Sequence, residues 1–176
     1  MVANEGIEQV ELTRPWDAVK EAGGDPRLIA PEGGSVQAMN HLDKGDTFPV
    51  DATFDDVTPE EFDAIVLPGG VANPDRLRTI APAVDWVRRF VESGRTTAVI
   101  CHAPWTLVEA GVVAGRTLTS WPSLRTDIAN AGGNWVDEEV VVDGNLLTSR
   151  KPDDLDAFCA ALVKAAAQDT SRSSAA

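Results

Sequence analysis

Two short aliphatic runs that each end in a sharp turn constrain this 176-residue chain more than any other feature. Ala64–Leu67 (AIVL) runs straight into Pro68-Gly69-Gly70, and Thr96–Ile100 (TTAVI) runs into Cys101-His102-Ala103-Pro104. Neither run alternates polar with apolar residues, so each reads as a strand buried on both faces. Helical periods lie around them. Residues 82–92 place Val84, Val87, Phe90 and Val91 on one face and stop at Gly94, and residues 105–110 stop at Gly111. Buried strands alternating with helices of this length predict an α/β fold, with a mostly parallel sheet between helical layers. In such sheets ligands bind at the carboxyl ends of strands, which is where both turns fall.

The remaining segments are assigned more coarsely. Residues 15–22 (PWDAVKEA) read as a helix that starts at Pro15 and stops at Gly23-Gly24. Residues 27–30 read as a short strand, and the polar stretch 33–57 as a hairpin around residues 47–53. A strand near 117–120 and a helix near 124–131 precede a hairpin, 139–143 with 146–149, joined through Asp143-Gly144-Asn145. An amphipathic helix over 152–167 closes a single domain, 1–167. The small, polar end 168–176 (QDTSRSSAA) is expected to be a disordered tail.

Composition excludes several classes of function. Fifteen Lys+Arg against 28 Asp+Glu leave a net charge of −13, a field that repels phosphate backbones and argues against nucleic-acid binding. No apolar run approaches the roughly 18–20 residues of a membrane helix, and residues 1–12 carry three Glu and no basic residue, unlike a signal peptide. Two Cys separated by 57 residues suit a reduced, cytoplasmic setting better than a disulfide framework. Two scattered His and two distant Cys make no metal-ligand set, so neither metal nor cofactor is expected.

The turn at Cys101 has the form of a nucleophile elbow, with a thiol at a strand-to-helix junction. Helix N–H groups aimed at the sulfur are expected to lower its pKa and to serve as an oxyanion hole. His102 follows directly as acid, base or neighbouring donor. Cys159, beside Phe158 and Ala160 on a helix, reads as core packing. Glu5, Glu8 and Glu11 recur every three residues. One of them, protonated, would hydrogen-bond a thiolate; the alternative is acidic decoration of a helix start. Gly69 and Gly70 suit close backbone approach, with amides free to donate to a carbonyl or oxyanion, and Asp75 is the nearest acid able to orient a His. The glycine spacing is wrong for a phosphate loop. His41 lies in a polar loop and is expected to be solvated.

Five segments in order, IEQVEL, FDAIVLPGG, AVICHAPW, LTSWPSL and NAGGNWVDEEVVVDGNLLTSRKPDDL, resemble the PfpI family of intracellular cysteine proteases, protein deglycases and stress proteins. That family sits within the class I glutamine-amidotransferase-like superfamily, and the resemblance runs from about Asn4 to Val163. It implies a flavodoxin-like three-layer αβα sandwich with Cys101 as nucleophile and His102 beside it. Glu11 takes the place of the family glutamate, and Glu8 lines the pocket as a second acid. Asp75 matches an acid often contributed by a neighbouring subunit, which implies a dimer or hexamer. Trp121 takes the place of a pocket aromatic. The family's first strand normally precedes the segment matching Val2-Ala3-Asn4. The sequence therefore implies either a start several residues late, the expected case, or a central sheet built with a stub. No His follows His102, which argues against ammonia transfer from glutamine.

The expected activity is that of a cofactor-free cysteine hydrolase or lyase acting on carbonyl compounds: protein deglycase or glyoxalase-III-like chemistry on methylglyoxal adducts in a stress response. Peptidase or amidase activity on peptide substrates is the alternative within the same chemistry. A redox-sensing or chaperone-like stress protein using an oxidisable Cys101 is the alternative outside catalysis.

Overall fold

A computed structural model describes residues 1–173. In chain order the strands and helices are β1 (Ile7–Glu8), α1 (Gln9–Glu21), β2 (Ile29–Ala30), β3 (Ser35–Asn40), β4 (Asp43–Pro49), β5 (Ala52–Thr53), β6 (Ala64–Leu67), α2 (Ala72–Leu77) and α3 (Ala81–Glu92). There follow β7 (Thr96–Ile100), α4 (Pro104–Ala110), β8 (Thr117–Leu118), α5 (Arg125–Asn130), β9 (Asn134–Trp135), β10 (Val140–Asp143), β11 (Leu146–Ser149) and α6 (Leu155–Ser173).

The two aliphatic runs lie side by side. β7 pairs in parallel with β6 on one side and with β11 on the other, and β10 adds antiparallel beyond β11. On the far side of β6, residues 1–3 act as a stub of strand. The Val2 N–H donates to the Val66 carbonyl at 2.9 Å, and Val2 bridges Ile29 in parallel, leading on to β2 and β5.

Side chains alternate across the sheet with the period of two that a strand imposes. Ile65, Leu67, Val99 and Leu146 pack on one face with Val87 and Phe90 of α3 and Leu107 of α4. Val66, Ala98, Ile100 and Leu147 pack on the other with Phe158 and Leu162 of α6. Helices α1 and α6 pack together on that second face. The result is the three-layer αβα arrangement of a flavodoxin-like fold, each buried aliphatic side chain contributing about 1.5–3 kcal/mol.

Three boundaries differ from the sequence reading. Helix α1 begins at Gln9, six residues before Pro15, which sits inside it. Proline there costs only the bond its N–H would have made to the Glu11 carbonyl, and the earlier start brings the glutamates at 8 and 11 onto the first turn. The hairpin in the polar stretch is β3–β4, turning at His41-Leu42, with a third neighbour β1 parallel to β3. At the end, α6 continues through Ser173, so residues 168–173 are helical rather than a loose tail. Asp169 anchors this last part by accepting from the Thr96 N–H at 2.8 Å and from its hydroxyl at 2.7 Å. Residues 174–176 of the expected tail lie outside the described residues. Among the described residues no helix is long and apolar enough to cross a membrane.

Candidate active site

Cys101 sits where β7 ends and three residues before α4 begins, with φ at +63°. Left-handed backbone at a non-glycine residue costs about 1–2 kcal/mol. It is held there by its neighbours: the Cys101 N–H donates to the Ser149 carbonyl at 3.1 Å, and the Cys101 carbonyl accepts from Trp121 N–H at 2.9 Å. The elbow thereby lifts the thiol above the carboxyl edge of the sheet, onto the floor of a cavity of about 570 Å³.

Glu11 reaches the same point from α1. Its carboxyl is fully buried, and Oε2 accepts the Gly69 N–H at 2.8 Å. Oε1 is buried with no hydrogen-bond partner. Burial, reinforced by the nearby charge of Glu8, pushes Glu11 up to about 8, against the pull of the Gly69 amide and the Cys101 thiol. At neutral pH Glu11 is therefore mainly protonated. A protonated carboxyl is a donor as well as an acceptor, and the Cys101 thiol is its side-chain hydrogen-bond partner.

The thiol departs from expectation. Burial raises the pKa of Cys101, and a charged Glu11 raises it further, while the amides of Gly70 and His102 pull it down. The expected lowering by the helix start is outweighed because the sulfur lies below the surface and α4 is only seven residues long. Protonation of Glu11 removes the opposing charge. The amides of Gly70 and His102 are both turned to the sulfur and favour its charged form.

The glycines are fixed by close approach. A Cβ on Gly69 would stand 2.7 Å from both Cys101 Cβ and Glu11 Oε2, and Gly70, at φ +76°, has no room for one against the Gly6 carbonyl. Asn73, which the sequence reading passed over, locks this loop. It is fully buried, its amide donating to the Pro68 carbonyl at 2.8 Å and the Gly69 carbonyl at 3.1 Å while its Oδ1 accepts the Asn4 N–H at 2.6 Å. A lone polar residue after an exposed valine carries no periodic signal that would have marked it.

His102 places Nδ1 3.1 Å from the Cys101 sulfur. Its ring stacks on Trp121 at 5.5 Å and tilts against Trp105 at 5.3 Å, and burial lowers it to about 4. It is neutral at physiological pH. Its other nitrogen, Nε2, meets Ser123 Oγ at 3.4 Å. Asp75 lines the same cavity but bonds Arg78 at 2.8 Å and makes no hydrogen bond to His102 within the chain. The expected orienting contact is absent because Asp75 lies on the exposed side of α2.

Glu8 caps β1 and is nearly buried in the cavity wall. Both its oxygens accept the His41 N–H, at 3.1 and 3.3 Å. The His41 side chain is solvated as expected, yet its backbone fixes the hairpin over the site. Glu5 is elsewhere, accepting the Gln37 N–H at 2.9 Å to hold β3. Cys159 packs in the α6 core with Phe158 and Leu162. Leu42, Val71 and Trp121, three exposed large apolar residues, share the cavity rim. Among the described residues no cluster of His, Cys, Asp and Glu is arranged to hold a metal ion.

Comparison with known proteins gives the same frame. Residues 1–165 match the DJ-1/PfpI family. A deglycase of Pyrococcus horikoshii is 46% identical over 93% of this chain and 95% of its own. Among solved structures, a two-domain protein of Anabaena variabilis with DJ-1/ThiJ/PfpI-like and ferritin-like domains superposes with a TM-score of 0.86 at 32% identity, over 93% of this chain and 48% of that one. This chain thus spans about half of the two-domain protein. Drosophila melanogaster DJ-1beta gives a TM-score of 0.84 at 28% identity, over 97% and 91% of the two chains.

Proposed function

The chain belongs to the DJ-1/PfpI family, and from that premise we propose that it is a cysteine-dependent deglycase that hydrolyses methylglyoxal adducts of amines. The observation that carries the reading is the buried Glu11 carboxyl, protonated at neutral pH, set against a thiol held on a strained elbow. In this reading the Cys101 proton passes to His102 Nδ1, and the sulfur displaces the amine from the adduct's C1, the C–N pair leaving with the nitrogen, which takes that proton. The resulting hemithioacetal moves hydrogen from C1 to C2 through an enediol whose oxygen the Gly70 and His102 amides stabilise, and one water then hydrolyses the lactoyl thioester and returns the thiol. Glu11 holds its proton beside the sulfur throughout, so that displacement does not place two anions together. Overall, one adduct and one water give the free amine and lactate. Free methylglyoxal plus water giving lactate, the glyoxalase-III reaction, uses the same groups, and both suit a role in carbonyl stress.

The apolar rim of Leu42, Val71 and Trp121 supports a second copy of the chain packing over the cavity mouth, in a dimer or larger ring that brings in an acid such as Asp75. Two free, buried cysteines support a reducing compartment such as the cytoplasm.

The test is lactate and amine release from methylglyoxal-treated amines by wild type, Cys101→Ser and Cys159→Ser, with free methylglyoxal followed separately. Turnover lost in Cys101→Ser and kept in Cys159→Ser is expected. Scavenging of free methylglyoxal alone, or no turnover with Cys101 still oxidised readily, overturns the deglycase reading and leaves a peptidase or a redox sensor.

A further inference from the structure

We propose that Asn73 is a positioning residue of the candidate site: it grips the carbonyls of two consecutive peptides and thereby aims the N–H groups on their far sides at Glu11 and Cys101. The inference rests on Cys101 being the reacting group.

A trans peptide is planar, so its C=O and its N–H point in opposite directions, and whatever holds one orients the other. The Asn73 amide donates to the Pro68 carbonyl at 2.8 Å and to the Gly69 carbonyl at 3.1 Å. The N–H opposite the Pro68 carbonyl belongs to Gly69, and it donates to Glu11 Oε2 at 2.8 Å. The N–H opposite the Gly69 carbonyl belongs to Gly70, one of the two amides that favour charge on the Cys101 sulfur. A single carboxamide with two N–H donors thus sets both amides. Two successive glycines do not hold such an orientation by themselves, because glycine has the widest choice of φ and ψ.

The other end of the carboxamide fixes the turn against the approach to α1. Asn73 Oδ1 accepts the Asn4 N–H at 2.6 Å, and Asn4 Oδ1 accepts the Glu5 N–H at 2.8 Å. Residues 4–8 run directly into α1, which carries Glu11. They lie so close to the turn that a Cβ on Gly6 would stand 2.6 Å from Ala72 Cβ. Asn73 therefore holds the carboxyl, the two amides and the thiol in one register. It is fully buried and its side-chain bonds lie within the chain, so a neighbouring subunit over the cavity mouth leaves them in place. Asp75 follows two residues later on the exposed side of α2, so the same anchor turns that acid outward while the two amides face inward.

The experiment compares Asn73→Ala with wild type in two readouts that need no substrate: Cys101 alkylation by iodoacetamide at pH 7, and titration of the Glu11 carboxyl followed by 13C NMR. Loss of the grip frees both peptides. Alkylation is expected to slow about tenfold, the worth of one hydrogen bond to a charged atom. Glu11 is expected to titrate above its wild-type value of about 8, because the Gly69 amide no longer favours the ionised form. A folded Asn73→Ala variant that loses stability but keeps both readouts at wild-type values overturns the proposal and marks a packing role. If Asn73→Ala does not fold, hydrogen exchange in the wild type decides. Protection of the Asn73 side-chain amide and the Gly69 N–H to the level of β6 and β7 is expected, and exchange as fast as in the hairpin turn at His41-Leu42 overturns the proposal. Absence of deglycase turnover would refute the proposed activity and leave these readouts standing.

Discussion

Oε2 of Glu11 accepts the Gly69 amide at 2.8 Å, while Oε1 of the same buried carboxyl has no partner. Oε2 is therefore satisfied by the backbone of the turn after β6, and the carboxyl as a whole interacts with the thiol at the end of β7. Two strand ends and a helix start are joined through this one side chain. The protonation of Glu11 sets the electrostatics of the pocket.

That protonation has a signature in stability. Burial pushes Glu11 up to about 8 in the folded chain, from 4.5 for a free carboxyl, so the folded state holds its proton more tightly. The stabilisation is complete below pH 4.5 and is lost progressively as pH rises to about 8, because over that window only the unfolded chain releases the proton. Glu11→Gln keeps the size and the acceptor for Gly69 but cannot titrate. Chemical denaturation between pH 5 and 8 is expected to show wild type losing a few kcal/mol relative to Glu11→Gln. Parallel pH profiles of the two proteins would show that Glu11 is already ionised in the fold. Cys101 reactivity at neutral pH is expected to be largely kept in the variant, whose amide N–H still donates to the sulfur.

Gly69 is the second point at which the pocket tolerates no change. A methyl group there meets Cys101 Cβ and Glu11 Oε2 at 2.7 Å and the Ile100 carbonyl at 2.9 Å. Two of these neighbours are backbone or Cβ and cannot swing aside. Gly69→Ala is expected to lower stability by about 1–3 kcal/mol through overpacking and to abolish Cys101 alkylation at neutral pH. Denaturant titration and a thiol-labelling time course check both, and retained labelling would show that the loop after β6 yields.

The fold and the elbow at Cys101 were legible because they rest on short-range signals. Ala64–Leu67 and Thr96–Ile100 are uninterrupted aliphatic runs with breakers at their ends, and strand, turn and Cys101 follow from that alone. The start of α1 was not legible, because Pro15 reads as a first helical residue and nothing local says that residues 9–14 are already helical. Glu11 emerged only as one of three equivalent glutamates. What distinguishes it is the register of α1 against the sheet, which buries residue 11, aims residue 8 at the hairpin and spends residue 5 on Gln37. The direction of the Cys101 shift failed for a related reason: a helix start is visible in sequence, whereas depth below the surface is not. Ser123 and Asn73 make tertiary contacts with residues 21 and 69 positions away, which no period encodes.

The strain at Cys101 can be measured directly. At φ +63° a side chain is held in a conformation that only glycine adopts freely. Comparing Cys101→Gly with Cys101→Ala removes the sulfur from both and leaves the backbone preference as the main difference. Cys101→Gly is expected to be more stable by about 1 kcal/mol, the reverse of the order at an ordinary buried site. Thermal unfolding of the two variants decides it, and an Ala variant at least as stable as the Gly variant would show that the elbow is unstrained.

Trp121 offers a separate handle on His102. The indole stacks on the imidazole at 5.5 Å with an interplanar angle of 22°, although the residue itself is 38% exposed. Burial alone lowers His102 to about 4, so uncovering one face should let water stabilise the imidazolium. Trp121→Ala is expected to raise the His102 pKa from about 4 toward its ordinary 6.5, read by following its ring protons in an NMR titration. Charged His102 no longer has a lone pair on Nδ1 for the thiol proton. Turnover in this variant should therefore weaken below neutral pH, where wild type still works, and recover as pH rises through the new pKa. A His102 that still titrates near 4 in Trp121→Ala would place its burial with Trp105 and the floor of the pocket instead.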